Sequence, residues 1–139
     1  MPLQTPEETL ANPHKRVGFR RVLRATGYSL EGMGSALKHE SAFRQELVLA
    51  CFLVPLALFM PIGQTATFML VSSVFLVLIV ELMNSAVEWV VDYISLDLHP
   101  YAKRAKDMAS AAVFLSLLHA AIIWALVIST HWSAIAAWV

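Results

Sequence analysis

The chain has 139 residues, of which ten are basic and ten acidic, so its formal net charge is zero. Hydrophobic residues make up 58% of the chain, which is more than a water-soluble domain of this size usually contains. These values limit the chain to one domain and favour a membrane protein, and we expect no nucleic-acid partner. The only cysteine, Cys51, excludes an internal disulfide.

The N-terminal segment differs in composition from the rest of the chain. Residues 1–15 are polar, contain three prolines and lack the basic start and apolar middle of a signal peptide. We expect them to form a flexible cytoplasmic tail. Residues 16–139 are expected to form a single membrane domain.

The first predicted element is a basic amphipathic helix over residues 16–38. Its arginines recur every four residues from Arg16 to Arg24, and apolar side chains fall on other faces. A break in this helix is predicted near Gly27. A helix of this kind is expected to lie on the cytoplasmic surface of the bilayer, with its arginines near anionic headgroups.

Two windows without a charged residue follow, at 47–80 and 108–139. About 20 apolar residues cross a hydrocarbon core, so the first window is long enough to cross twice, with a turn at Pro61. The basic residues lie at or before the start of the first span, or between the second and third. The positive-inside rule therefore predicts a cytoplasmic N-terminus and a periplasmic C-terminus. The prediction is an all-α integral membrane fold with three transmembrane helices, at about 43–60, 66–92 and 108–130.

A polar stripe ends the second span. At 100° per residue, Glu81, Asn84, Glu88 and Asp92 fall within an arc of about 80° on one side of the helix. A helix reaching Asp92 is longer than the hydrocarbon core is thick, so its last turns should stand clear of the lipid. We expect Glu81 just below the acyl boundary, and Glu88 and Asp92 above it. An acid at that depth marks a functional site or, alternatively, pairs with an arginine inside the bundle.

Other charged residues converge on the same membrane face. Glu40 precedes the first span, and Lys103, Lys106 and Asp107 precede the third. Carboxylate oxygens suit Mg²⁺, and basic side chains suit phosphate groups. The combination indicates nucleotide chemistry, although the sequence contains neither a phosphate-binding glycine loop nor a zinc-binding histidine motif.

Three motifs carry a family resemblance. They are Glu40-Ser-Ala-Phe-Arg-Gln-Glu46, Glu81-Leu-Met-Asn-Ser-Ala-Val-Glu88 and Ala105-Lys-Asp-Met-Ala-Ser-Ala-Ala-Val113. With them the chain resembles the prokaryotic diacylglycerol kinase family from about Gly18 to Trp132. The resemblance implies ATP- and Mg²⁺-dependent phosphorylation of the diacylglycerol hydroxyl to phosphatidic acid. It also implies a homotrimer of the bacterial inner membrane, with active sites shared between subunits.

The resemblance further implies roles for individual residues. Glu81 matches the general base, and Glu40 and Glu88 match the acids that hold the metal. The positions around the nucleotide and its phosphates are matched by Asn84, Asp92, His99, Lys106 and Asp107. The positions that line the lipid side or support the base are matched by Arg21, Ser29, Gln45, Glu46 and Ser110.

The sequence departs from the family pattern at Leu30, Leu98 and Lys103, where we expect details of lipid and nucleotide contact to differ. Undecaprenol kinase, a relative of the same fold, remains an alternative, because the sequence from His99 to Lys103 resembles that branch. Alternatives from other classes are a small ion or proton channel and a non-catalytic adaptor. A channel predicts polar groups through the depth of the bilayer, whereas the outer parts of the first two spans are nearly free of them.

Overall fold

A computed structural model describes residues 19–94 and 99–138. The predicted tail at 1–15 lies outside the described residues. The described part contains helices and no strand, which confirms the all-α expectation. The helices are α1 (Phe19–His39), α2 (Ser41–Phe59), α3 (Gly63–Ile94), α4 (Pro100–Thr130) and α5 (Trp132–Ala136).

The first helix, α1, runs over 21 residues without interruption, so the predicted break near Gly27 is wrong. A single glycine inside a helix costs about 1 kcal/mol relative to alanine, which good helix formers on both sides can offset. Apart from its chain neighbours and the backbone of its own helix, no atom lies within 4 Å of the place where a side chain on Gly27 would begin, so close packing does not explain this glycine. The described residues divide into two compact units, the first ending at Ser35 and the second beginning at Ala36.

Three helices of the second unit are long and apolar enough to cross a membrane: α2, α3 and α4, with 19, 32 and 31 residues. The three-span expectation is therefore confirmed. The fourth helix begins at Pro100, well before the predicted span near 108. Its start is favoured because the Nδ1 atom of His99 accepts a hydrogen bond from the Tyr101 backbone N–H at 3.3 Å, and proline is well suited to a first helical turn.

The third helix packs against both α2 and α4. The chain reverses between α2 and α3 within three residues, and the reversal ends at Gly63, whose φ of +72° is a conformation that favours glycine. At this end of the bundle Ala57, Ile62, Leu70 and Val127 belong to one buried apolar cluster. The opposite end of α3 is therefore the place where polar side chains can gather.

At 1.5 Å per residue, α3 is about 48 Å long, whereas a hydrocarbon core is about 30 Å thick. A helix of 32 residues cannot be contained in the lipid unless it tilts strongly. Its final turns, from Glu81 to Ile94, include the whole predicted polar stripe. The length of α3 therefore places lipid-depth and water-exposed positions on one continuous helix.

Candidate active site

The polar stripe of α3 becomes more exposed toward the end of the helix. The Glu81 side chain is buried, with 3% of its surface exposed, and Asn84 and Glu88 are half-buried. Asp92 is exposed. The amide Nδ2 of Asn84 donates a hydrogen bond to Glu88 Oε1 at 3.4 Å, as expected for side chains one turn apart. The stripe thus runs from a buried carboxylate to a solvent-facing one.

Two acids of the preceding segment face this stripe. Glu46, in the second turn of α2, is close enough to Glu81 for coulombic repulsion. Glu81 also interacts in this way with Glu88 and with Glu40, the residue that precedes α2. Three carboxylates, those of Glu40, Glu46 and Glu88, therefore lie around Glu81, and we call these four residues the carboxylate cluster. Sequence reasoning had placed Glu46 only at the lipid side or in support of the base.

No basic side chain in the described residues forms an ion pair with the carboxylate cluster. The ion pairs of the described residues are Lys103–Asp107, at 2.5 Å, and Lys106–Asp92, at 2.6 Å. The nearby guanidinium of Arg44 instead donates to the backbone carbonyls of Leu37 and Lys38, at 3.1 and 3.3 Å, and so caps the end of α1. Among the described residues no arginine forms an ion pair with Glu81, so the structure does not support the alternative that this acid serves only to pair with an arginine.

Several buried polar atoms around the cluster have no hydrogen-bond partner among the described residues. They are Glu46 Oε2, Asn84 Oδ1 and Ser85 Oγ. An unpaired buried polar atom typically costs 1–3 kcal/mol, and a charged one costs more. These atoms and the unpaired carboxylates indicate that a cation, water, a substrate or a second chain completes this site.

Four of the five residues predicted to bind the nucleotide lie at the end of α3 and around the start of α4, and the fifth, Asn84, lies within the polar stripe. Lys106 Nζ donates to Asp92 Oδ1 at 2.6 Å, which ties the two helices together. Asp107, one residue further on, accepts from Lys103 Nζ. His99 is exposed at the N-cap of α4, and its ring centroid lies 5.3 Å from that of Tyr101. All four predicted residues are thus in or beside the two helix ends that meet here.

Four residues that were predicted to line the lipid side or to support the base are exposed. Gln45 lies on α2 and Ser110 on α4, and no described hydrogen bond connects either of them to the carboxylate cluster. Arg21 and Ser29 lie on α1 in the first unit, where the Ser29 hydroxyl donates to the Ala25 carbonyl at 3.0 Å. Their expected role in lipid binding rests on the family resemblance.

The donor chemistry of the cluster fits magnesium. In the described residues, no three or more His, Cys, Asp or Glu side chains are grouped so that they could hold a metal ion. Mg²⁺ commonly takes only one or two protein carboxylates and completes its shell with water and phosphate oxygens. Glu40 and Glu88, both half-buried and both unpaired with a cation in the described residues, offer such a pair of oxygen donors.

A contact that sequence reasoning missed joins the two helices of the cluster. The indole N–H of Trp89 donates to Glu40 Oε1 at 2.6 Å, across 49 positions of the chain. Trp89 falls outside the polar stripe, and nothing in the periodicity of the sequence pairs it with Glu40. A tryptophan near the end of a span is itself a common marker of the membrane interface, and that was the only available signal.

An apolar cavity lies between α2, α3 and α4, beside the cluster. Its volume is about 350 Å³, and Glu46, Leu53, Val77, Leu117 and Trp124 are among its lining residues. Apart from Glu46 and the buried, unpartnered indole N–H of Trp124, the lining is apolar. The cavity can accept hydrocarbon, and one of its few polar lining groups is a carboxylate of the cluster.

Comparisons with known proteins identify similar chains. A family profile described as prokaryotic diacylglycerol kinase matches residues 27–128. The diacylglycerol kinase of Haemophilus influenzae is 45% identical over 111 residues, which cover 80% of this chain and 94% of that protein. The diacylglycerol kinase of Escherichia coli K12 is 43% identical over 114 residues, covering 82% and 93%. That of Pseudomonas aeruginosa is 42% identical over 113 residues, covering 81% and 92%.

Proposed function

This chain belongs to the prokaryotic diacylglycerol kinase family, a family of membrane-bound lipid kinases, and on that premise we propose that it phosphorylates diacylglycerol. The reaction transfers the γ-phosphoryl group of ATP to the lipid hydroxyl and gives phosphatidic acid and ADP. One observation carries the proposal: Glu81 is buried among carboxylates that have no ion-pair partner in the described residues. It lies in the last turns of a helix that is longer than the bilayer is thick. The C-terminal end of α3 has positions at lipid depth, where diacylglycerol lies, and positions exposed to water, where ATP lies.

The proposed location is the cytoplasmic face of the bacterial inner membrane. All the basic residues of the chain lie before α2, in its first turn, or in the first two turns of α4, which supports a cytoplasmic position for the start of α2 and the start of α4. ATP then approaches the exposed residues of the α3–α4 end from water. The C-terminus lies in the periplasm under this arrangement.

Glu81 is proposed as the general base. As the lipid hydroxyl oxygen attacks the γ-phosphorus, its proton passes to the Glu81 carboxylate, and the bond between the γ-phosphorus and the bridging oxygen of ADP breaks. Proton transfer to a positioned side chain contributes typically 10²–10⁴-fold to a rate. The burial of Glu81 supports this role, because the hydroxyl of a membrane lipid is also held near the acyl boundary.

Glu40 and Glu88 would hold Mg²⁺ by one or two carboxylate oxygens. A metal held there with ATP would supply neutralisation of phosphate charge, which together with positioning is what phosphoryl transfer requires. Glu88 lies seven residues beyond Glu81, or about 10.5 Å along the helix axis. Glu81 can therefore stay at lipid depth while Glu88 faces the nucleotide, with Asn84 orienting Glu88 through its amide.

The nucleotide is proposed to bind beside Asn84, Asp92, His99, Lys106 and Asp107. Lys106 is the cation best placed to meet a phosphate, because its partner Asp92 already directs it toward the end of α3. The lipid is proposed to lie along Gln45, Glu46 and Ser110, and we propose separately that Arg21 and Ser29 contact lipid, as the family resemblance implies. The apolar cavity beside Glu46 supports binding of hydrocarbon on this side of the carboxylate cluster.

We further propose that the enzyme works as a homotrimer with shared sites. Three spans cannot enclose two substrates, and polar atoms buried at membrane depth need partners. Asn84 Oδ1 and Ser85 Oγ have no hydrogen-bond partner among the described residues of one chain. A neighbouring chain or the substrates would supply those partners.

Neutralising Lys106 is expected to weaken nucleotide binding selectively. Lys106→Met should raise KM for ATP about tenfold, which corresponds to the loss of one hydrogen bond to a charged group. Lys103→Met is the matched control, because Lys103 is a more exposed lysine in an i,i+4 pair, and its KM should change less than about twofold. Steady-state kinetics with varied ATP measures both. Equal changes in KM for ATP in the two variants would contradict a specific role of Lys106 in nucleotide binding.

The proposed function is tested by transfer of labelled phosphate from ATP to lipid in mixed micelles of the purified protein. Diacylglycerol and undecaprenol are supplied separately and then in competition. We expect diacylglycerol to be the preferred acceptor. Preferential labelling of undecaprenol would establish the alternative kinase, and labelling of neither lipid would contradict both and reopen the channel and adaptor alternatives.

A further inference from the structure

One short hydrogen bond ties the two helices of the carboxylate cluster together. The indole N–H of Trp89, on α3, donates to Oε1 of Glu40 at 2.6 Å. Among the described residues it is the only side-chain hydrogen bond between α3 and the segment that begins α2. A bond from N–H to an ionised carboxylate is stronger than one between neutral groups, so it restricts the carboxylate effectively.

The Glu40 carboxylate does not cap α2, although Glu40 occupies the N-cap position. This is a position where a side-chain oxygen, most often of Ser, Thr, Asp or Asn, accepts a bond from the first backbone N–H groups. Here the Glu40 side chain makes no capping hydrogen bond. Arg44, the cation one turn away, is occupied with carbonyls at the end of α1. In the described part of the chain, Trp89 is therefore the group that orients the Glu40 carboxylate.

The Trp89 ring is itself held in place. It meets the His39 ring edge to face, with the centroids 5.9 Å apart and the planes at 79°. The side chain is nevertheless 57% exposed, so burial in an apolar core does not explain its orientation. His39 immediately precedes Glu40 in sequence, so one short segment contacts both the indole ring system and its N–H.

We propose that Trp89 is a positioning residue for Glu40. Its N–H holds Oε1 and leaves Oε2 as the oxygen presented to the divalent cation. This inference rests on the proposed function, in which Glu40 is a metal ligand. Groups that hydrogen-bond a metal ligand fix its orientation, and their removal typically weakens metal affinity about 10–100-fold.

The test measures Mn²⁺ affinity of the full chain in detergent micelles with a non-hydrolysable ATP analogue, by the electron paramagnetic resonance signal of free Mn²⁺. Trp89→Phe keeps a ring against His39 but removes the N–H, and Trp89→Ala removes both. We expect both variants to bind Mn²⁺ about tenfold more weakly. Trp132→Phe, at an exposed tryptophan beginning α5, should leave the affinity unchanged. Wild-type affinity in Trp89→Phe would overturn the proposal and leave ring packing as the role of Trp89.

A second measurement, the quenching of tryptophan fluorescence, tests whether the metal lies close to Trp89. Paramagnetic Mn²⁺ should quench tryptophan emission more than Mg²⁺ does in the wild-type protein and in Trp132→Phe, and most of this excess should disappear in Trp89→Phe. An excess that survives in Trp89→Phe contradicts the placement of the metal beside Trp89.

The variant Glu40→Gln separates this inference from the proposed function. Weaker Mn²⁺ binding in Glu40→Gln, together with unchanged binding in Trp89→Phe, overturns the positioning role alone. Unchanged binding in Glu40→Gln overturns the metal role of Glu40, and the positioning role with it.

Discussion

Replacing Glu81 with glutamine is expected to lower turnover by about 10²–10⁴-fold, the usual contribution of a general base. Glutamine has nearly the same shape as glutamate but cannot accept the hydroxyl proton at a useful rate. Nucleotide binding should be largely kept, because Glu81 is buried below the residues proposed to contact ATP. Turnover is measured with diacylglycerol in mixed micelles, and nucleotide affinity with a non-hydrolysable analogue.

The Glu81→Gln result can be distinguished from a loss of folding. Removing a buried, unpaired charge is expected to leave the free energy of unfolding unchanged or to raise it, as judged by denaturant titration in micelles. Glu31→Gln makes the same chemical change at an exposed position of α1 and should keep full activity. A Glu81→Gln variant with a near wild-type rate would show that the base lies elsewhere.

Replacing Glu88 with glutamine is expected to raise the free Mg²⁺ concentration needed for half-maximal activity by at least about tenfold. The amide can still accept a hydrogen bond from Asn84, but it is a much weaker ligand for a hard cation than a carboxylate. At high Mg²⁺ part of the lost turnover should return. Activity is measured against free Mg²⁺ at saturating ATP.

Asp92→Asn is the matched control for Glu88, because it removes a carboxylate one turn further along the same stripe. The Asp92 carboxylate is already occupied by Lys106, so its loss should change KM for ATP more than the Mg²⁺ requirement. If the Mg²⁺ titration of Glu88→Gln matches that of the wild type, Glu88 is not a metal ligand.

The spans and the polar stripe could be predicted because single helices carry both signals. A run of apolar residues long enough to cross hydrocarbon has few alternatives to a helix, since every backbone polar group must be satisfied within the segment. The side-chain period of a helix then puts Glu81 and Glu88 on the same face. The structure agrees with both in α3, where Glu81 is the most buried member of the stripe.

Helix ends and breaks were predicted less well. The glycine at position 27 suggested a break because its helix propensity is low, but one unfavourable residue does not outweigh the hydrogen bonds and helix formers around it. The early start of α4 depended on the cap from His99, a detail of local backbone geometry. Arg44 lies four residues after Glu40, but it caps the end of α1 and does not pair with that carboxylate.

The amino-acid sequence by itself determined that this protein crosses the membrane three times and that acids gather at one end of its second span. Both follow from periodicity and composition within one segment, and its motifs also identified the family. Only the tertiary structure decided which groups meet: Glu46 approaches Glu81, Lys106 pairs with Asp92, and Trp89 holds Glu40. These contacts join different segments, so they depend on how the helices pack and on how each is rotated about its axis. The residue pattern of a single helix does not specify either property.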